Sequence, residues 1–179
     1  MKRALIILVV AFCATFAPAT TVKPMSIEEL TTAATMIVEG QAAESWSTWN
    51  AQHTLIYTFT RVRVSKTLKG ANDGVVLLKQ LGGSAGGYTQ KVAGVHPLSD
   101  GDQAVLFLRP SEARDGTMVI VGLMQGNFRI EREAKTGSAV VNNGVSDVHQ
   151  SSGGAVTRYQ GAKLTLRQLE TRVRRANNG

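Results

Sequence analysis

Leu55-Ile-Tyr-Thr-Phe-Thr-Arg-Val-Arg-Val-Ser-Lys-Thr-Leu-Lys-Gly70, followed by Ala71-Asn-Asp-Gly74, Val75-Val-Leu-Leu-Lys-Gln-Leu81 and Gly82-Gly-Ser-Ala-Gly-Gly87, is the stretch that decides the fold. It predicts a long strand, a tight turn, a second strand and a glycine-rich loop. β-Branched and aromatic side chains suit a pleated, half-buried surface, and Ile56, Tyr57, Thr58, Phe59, Thr60, Val62 and Val64 supply them. From Arg61 onward, Val62 and Val64 share one face and Arg61, Arg63 and Ser65 the other. Before Arg61 both faces carry apolar side chains, Ile56 on the first and Leu55, Tyr57 and Phe59 on the second. A strand buried on two faces at one end and one at the other is expected to bend between sheet layers, as in a small barrel.

On the N-terminal side, Ser26 and Glu29 have the spacing of a capping box, and Met25 and Leu30 that of a hydrophobic staple. A short helix is expected from about Ile27 to Thr35. A first strand follows over Thr35–Ala42, with Gly40 marking a bulge or a close backbone approach. Ser45–Thr54, polar with two tryptophans, is expected as a hairpin loop. On the C-terminal side, Tyr88–Val92 predicts a short strand, and Ala93–Asp102 is rich in turn residues. Gln103–Arg109 is the most apolar internal run and suits a central strand at its length. Further strands are expected at Thr117–Val121, Asn127–Glu133 and Ser138–Val141. Thr165 with Gln168, and Leu164 with Leu169, repeat the helix-start pattern. Leu166, Leu169 and Val173 then line one helical stripe, and Arg172, Arg174 and Arg175 in the last turns suit the negative end of the helix dipole.

Together these elements predict a mainly β fold. It is a small antiparallel barrel of the oligonucleotide/oligosaccharide-binding type, of about six to eight strands, with a short helix at each end. The domain reading is a signal peptide at 1–19, the barrel at 20–142, a flexible linker at 143–163 and an amphipathic helix at 164–179. The linker rests on an Asn-, Ser- and Gly-rich composition. The leader rests on Lys2 and Arg3, the apolar run Ala4–Phe16 and the small-x-small site Ala17-Pro18-Ala19. That run is shorter than the roughly 20 residues a bilayer demands, so no spanning helix is expected after cleavage.

The 179-residue chain carries 20 basic and 13 acidic residues. Its one cysteine, Cys13, sits in the leader, so the mature protein is expected to hold together by packing, with no disulfide or cysteine metal ligand. Export to the periplasm or medium removes nucleic acid as an expected target.

Gly82-Gly-Ser-Ala-Gly86 matches the G-x-S-x-G elbow of serine hydrolases. That motif works as strand, sharp turn and helix, with the serine exposed above a sheet. Gly87–Val92 does not predict a helix, and the chain lacks alternating strands and helices. Asp147 and His149 follow Ser84 in the order of a triad, but in the polar linker. The other reading is a loop whose glycines permit positive φ and close backbone approach. His53, His96 and His149 show no metal-ligand spacing, and no pair of carboxylates stands out, so neither a metal nor a cofactor is expected. Trp46 and Trp49 on one loop, Gly82, Gly83, Ser84, Gly86 and Gly87 on another, and Tyr88 at the start of the next strand are the candidate binding residues, since aromatics on barrel loops stack on sugars or enter partner pockets, while large aromatics also commonly cap a barrel's end.

Met36-Ile-Val-Glu-Gly-Gln41, Phe59-Thr-Arg-Val-Arg-Val-Ser-Lys-Thr-Leu-Lys-Gly70, the pairs Gly82-Gly83 and Gly86-Gly87, and Gly101-Asp-Gln-Ala-Val-Leu-Phe-Leu108 resemble a group of exported bacterial proteins of unassigned function. The order of these segments is also similar to the netrin-like modules, which include the tissue inhibitors of metalloproteinases. The resemblance implies a barrel, a secreted habit and protein binding. Those inhibitors chelate zinc through an amino-terminal cysteine, which a thiol-free mature chain cannot do. The function expected is an exported, non-catalytic module binding an extracytoplasmic protein or surface polymer. Alternatives are a protease inhibitor acting through a loop and a hydrolase using Ser84.

Overall fold

The computed structural model describes residues 24–134, 136–143, 149–152, 155–158 and 163–178, with 149–152, 155–158 and Lys163 by backbone alone. The expected leader, with Cys13, lies outside the described residues. Helix α1 (Ile27–Ala33) precedes β1 (Met36–Trp49), β2 (Ile56–Lys69), β3 (Val75–Leu81), β4 (Gly83–Ala85) and β5 (Tyr88–Gln90). Then come β6 (Gln103–Pro110), β7 (Met118–Ile120), β8 (Asn127–Arg132) and β9 (Ala139–Asn142). The hairpin β10 (His149–Ser152) and β11 (Ala155–Arg158), strand β12 (Lys163–Thr165) and helix α2 (Leu166–Asn177) complete the order. Neither helix is long and apolar enough to cross a membrane.

The fold is a closed barrel. Strands β1, β2, β3, β7 and β6 are hydrogen-bonded in that order, and β6 returns to β1. Antiparallel pairing runs from Ile37–Lys69 to Trp49–Ile56 between β1 and β2, and from Met36–Leu108 to Gln41–Gln103 between β1 and β6. The ring takes five strands; β8, β9 and β12 extend the sheet outward from β6 to eight. The expected six to eight strands therefore describe the sheet rather than the ring. One seam departs from the expected antiparallel pattern: β3 and β7 run parallel, joined at Leu78–Met118.

The apolar run of β6 is explained by burial on both faces. Ala104, Leu106 and Leu108 point into the barrel beside Val38, Val62 and Leu78. Val105 and Phe107 point outward, under the helices, with Ile37, Phe128, Leu30, Leu169 and Val173. Phe107 and Phe128 pack with ring centroids 5.5 Å apart. Helices α1 and α2 thus cover one wall of the ring, and truncating an aromatic such as Phe107 at that wall costs about 3–5 kcal/mol. Each helix opens with the expected capping box, Ser26 with Glu29 and Thr165 with Gln168. They are tied together by Arg172, whose Nε donates to Glu28 Oε1 at 2.8 Å while Nη2 reaches Oε2.

Two local expectations are corrected, and a third stretch is described only in part. Ser45–Thr54 is not mainly a loop: β1 continues to Trp49, with Ser45 and Ser47 facing inward where apolar residues would normally mark a strand. The second apolar face of β2 is not covered by another sheet layer. Tyr57 and Phe59 are half-buried beneath the Lys79 ammonium, 4.7 and 5.8 Å from their ring centroids, and Trp46 stacks on Phe59. Within the expected linker at 143–163, His149–Ser152 and Ala155–Arg158 pair as an antiparallel hairpin, and Lys163 begins β12. Residues 144–148, 153–154 and 159–162 lie outside the described residues.

Gly40 fulfils its expected role. The β1–β2 register shifts between Glu39 and Gly40, and a Cβ at Gly40 would sit 2.6 Å from the Arg63 carbonyl oxygen and 2.7 Å from Val62 Cγ1. Gly40→Ala is therefore expected to destabilise the fold by about 1–3 kcal/mol, the range for forcing extra volume into a packed site, read as a lowered urea midpoint at unchanged slope. A second expectation concerns acid. The hydrogen bond from Arg172 holds the Glu28 carboxyl below its ordinary value of 4.5. A depressed carboxylate stabilises the fold above that value, and the contribution disappears as pH falls through the lowered folded value. Both side chains are 40–50% exposed, so the pair is worth less than about 1 kcal/mol. Urea midpoints of Glu28→Gln should fall less than those of the parent between about pH 6 and about pH 3.

Candidate functional site

The barrel interior changes character along its axis. Towards the α1 end it is filled by Val38, Leu106 and Leu108; towards the β1–β2 turn it is lined by hydroxyls and an amide. Ser45 Oγ donates to Thr60 Oγ1 at 3.0 Å, and Ser47 Oγ lies 2.9 Å from Thr58 Oγ1. Thr58 Oγ1 in turn donates to the Gly82 carbonyl at 2.8 Å, and the Gly82 N–H donates to the Ile56 carbonyl at 2.7 Å. These bonds fasten the start of the β4–β5 hairpin to the rim of the barrel. Gln90, at the far end of the hairpin, accepts from the Ile56 N–H at 2.7 Å through its side-chain oxygen.

The glycine-rich loop is therefore a small hairpin. Gly83 pairs with Gln90, Ser84 with Thr89 and Ala85 with Tyr88. Gly86 and Gly87, at φ 57° and 81°, form the two-residue turn, a geometry that requires positive φ at both positions. At Gly83 a Cβ would overlap Ser47 Oγ and Thr58 Oγ1, so the hairpin seats flat on the rim because that residue has no side chain. At Gly86 a Cβ would lie 3.4 Å from Trp49 Nε1.

This seating brings most of the candidate residues together. Trp49 meets Tyr88 edge-on at 5.7 Å and stacks on His53 at 5.9 Å. Tyr88 is 68% exposed at the hairpin tip. Trp46 does not join them. Three residues before Trp49, it falls on the opposite face of β1, where it stacks on Phe59 at 5.7 Å under the Arg61 guanidinium. On that outer wall Lys79 bonds Asp115 at 2.9 Å, and the Thr117 hydroxyl and then Lys79 hold the Asp115 carboxyl well below the usual carboxylate range.

Behind the hairpin lies a cleft of about 780 Å³. One wall is Gly82–Ser84, Thr89–Lys91 and the segment Val92–Pro97; the other is Met124, Asn127, Arg129 and Asn143. Arg129 ties the walls together, donating to the Pro97 carbonyl at 2.9 Å and pairing with Asp102 at 3.3 Å. Asn127, Arg129 and Asn143 were not among the residues singled out by sequence, and no motif marks them. They lie near strand ends that become neighbours through the β6–β8–β9 pairing.

Ser84 is a cross-strand residue, its Oγ 2.8 Å from Thr89 Oγ1. The strand–turn–helix setting of a nucleophile elbow is replaced here by strand, turn and strand. Asp147 and the His149 side chain lie outside what is described. His96 lines the cleft and His53 stacks on Trp49. Among the described residues no three His, Cys, Asp or Glu side chains gather as a metal set would. Comparison with protein-family models and with curated proteins finds no match for this chain.

The seating of the hairpin has a direct check. Gly83→Ala is expected to lift it from Ser47 and Thr58, at a cost of about 1–3 kcal/mol, and to red-shift Trp49 fluorescence as Tyr88 moves away. Ser84→Ala, an exposed substitution, should stay within about 0.5 kcal/mol of the parent in the same denaturation experiment.

Proposed function

We propose that this chain is an exported, non-catalytic binding module, acting in the periplasm or outside the cell, whose partner is an extracytoplasmic protein gripped at the barrel rim. The observation that carries the reading is Tyr88: a large, mostly exposed aromatic on a hairpin that glycine packing and the Trp49 edge contact hold in place. Rigid aromatics of this kind bind with little loss of side-chain freedom and dominate the energetics of protein contacts. The ring order β1-β2-β3-β7-β6 supports assignment to the oligonucleotide/oligosaccharide-binding type of barrel. The Thr89 partner of Ser84 and the missing elbow favour binding over hydrolysis.

The test compares immobilised parent, Tyr88→Ala and Trp46→Ala proteins against envelope and medium fractions of the producing cell. A protein retained by the parent and by Trp46→Ala, and weakened about tenfold or more by Tyr88→Ala, a hot-spot-sized loss, is the expected outcome. Equal retention by all three would remove the rim as the binding surface. Ester hydrolysis abolished by Ser84→Ala would replace the reading with an enzymatic one.

A further inference from the structure

The cleft behind the hairpin contains an unresolved polar account. Asn127 and Asn143 line it and are 7% and 6% exposed, and the Oδ1 of each, itself buried, has no hydrogen-bond partner among the described residues. A buried amide oxygen without a donor costs about 1–3 kcal/mol, so two in one cleft are a standing demand for hydrogen-bond donors. The two residues come from different strand ends, Asn127 opening β8 and Asn143 following β9. The barrel fold, not local sequence, sets them on one wall.

We propose that this cleft is a saccharide site, taking an uncharged, hydroxyl-rich ring between the β4–β5 hairpin and the two asparagines. The Cβ–Cγ torsion of asparagine is broad, so either amide can turn its carbonyl or its NH2 towards the cleft. A ligand whose every polar group both donates and accepts suits such amides in either orientation, and hydroxyls have that property. The facing wall adds neutral partners of the same kind, Ser84, Thr89 and Gln90. No carboxylate lines the cleft among the described residues, which disfavours a cationic ligand; of the lining cations, Arg129 is already paired with Asp102 and Lys91 is exposed to solvent. Leu81, Val92 and Met124 supply the apolar patches that the C–H face of a sugar ring covers. A volume of about 780 Å³ accommodates one or two sugar units. An extended peptide is the weaker occupant: peptides dock through main-chain bonds to a strand edge, whereas the unmatched groups here belong to side chains. The cleft uses the back of the hairpin, whereas Tyr88 stands at its tip and is not among the lining residues.

The experiment titrates the ¹⁵N-labelled protein with glucose, N-acetylglucosamine, maltose and, as the peptide arm, trialanine, following amide spectra. The expected result is saturable shifts with at least one sugar, confined to the Gly82–Pro97 wall and the side-chain NH2 signals of Asn127 and Asn143. Asn127→Ser and Asn143→Ser should each weaken that sugar about tenfold, the worth of one such bond, with backbone spectra otherwise preserved. If either variant fails to fold, the shifts of the two NH2 signals in the parent protein decide the matter alone. No sugar-induced shift at these residues, shifts unaltered in both variants, or shifts with trialanine alone would overturn the proposal.

Discussion

Strand β1 must be hydrogen-bonded along both edges at once, and the rest of the molecule depends on that requirement being met. Its first half pairs with β2 on one side and β6 on the other. Two neighbours can curve this sharply around one strand only if the inward side chains there are small. Gly40, Ala42 and Ala104 meet that condition, and Gly40 lies opposite Ala104 in the register. With the corner closed, β6 is buried on both faces, and its outward residues Val105 and Phe107 become the floor on which α1 and α2 pack. The interior of the ring and the helix layer are thus two cores sharing one strand.

The same ring divides into an apolar end and a polar end. Five and seven residues beyond Gly40, the inward positions of β1 are serines, Ser45 and Ser47, facing threonines on β2. A hydroxyl-lined interior contributes less to stability than a hydrocarbon one, because each buried polar group must first recover its lost bonds to water. Here the hydroxyls recover them partly from one another and partly from the Gly82 carbonyl. The rim hairpin is therefore held by the polar interior itself, which is how a three-residue strand pair, unstable in isolation, acquires a fixed position. The cleft lies along the back of that hairpin, so barrel chemistry and site architecture are continuous.

Much of this was legible in the residues, and the failures have physical causes. Gly40, both capping boxes, the long β2 strand and the doubly buried β6 all followed from local rules of conformation and patterning. The second half of β1 did not, because an inward serine reads as solvent-facing unless its threonine partner is known. Trp46 and Trp49 were grouped by proximity in sequence, although three steps along a strand place them on opposite faces. The Gly82–Gly87 loop and the strand from Tyr88 were read as separate pieces, and β4 and β5 pair them into one hairpin. Asn127 and Asn143 were invisible, since nothing local distinguishes a buried asparagine from one in a turn.

The parallel junction between β3 and β7 has a kinetic consequence. One residue pair, Leu78 with Met118, holds that seam, whereas its antiparallel counterparts run over several. Joining β1 to β6 brings together segments far apart in the chain, Met36 with Leu108 among them, and such high-contact-order pairings form late. The local meander of β1, β2 and β3 can assemble first as an open, curled sheet. The cylinder then shuts at its thinnest seam. Local opening starts where the fewest bonds must break, so that seam is where the ring is expected to part first.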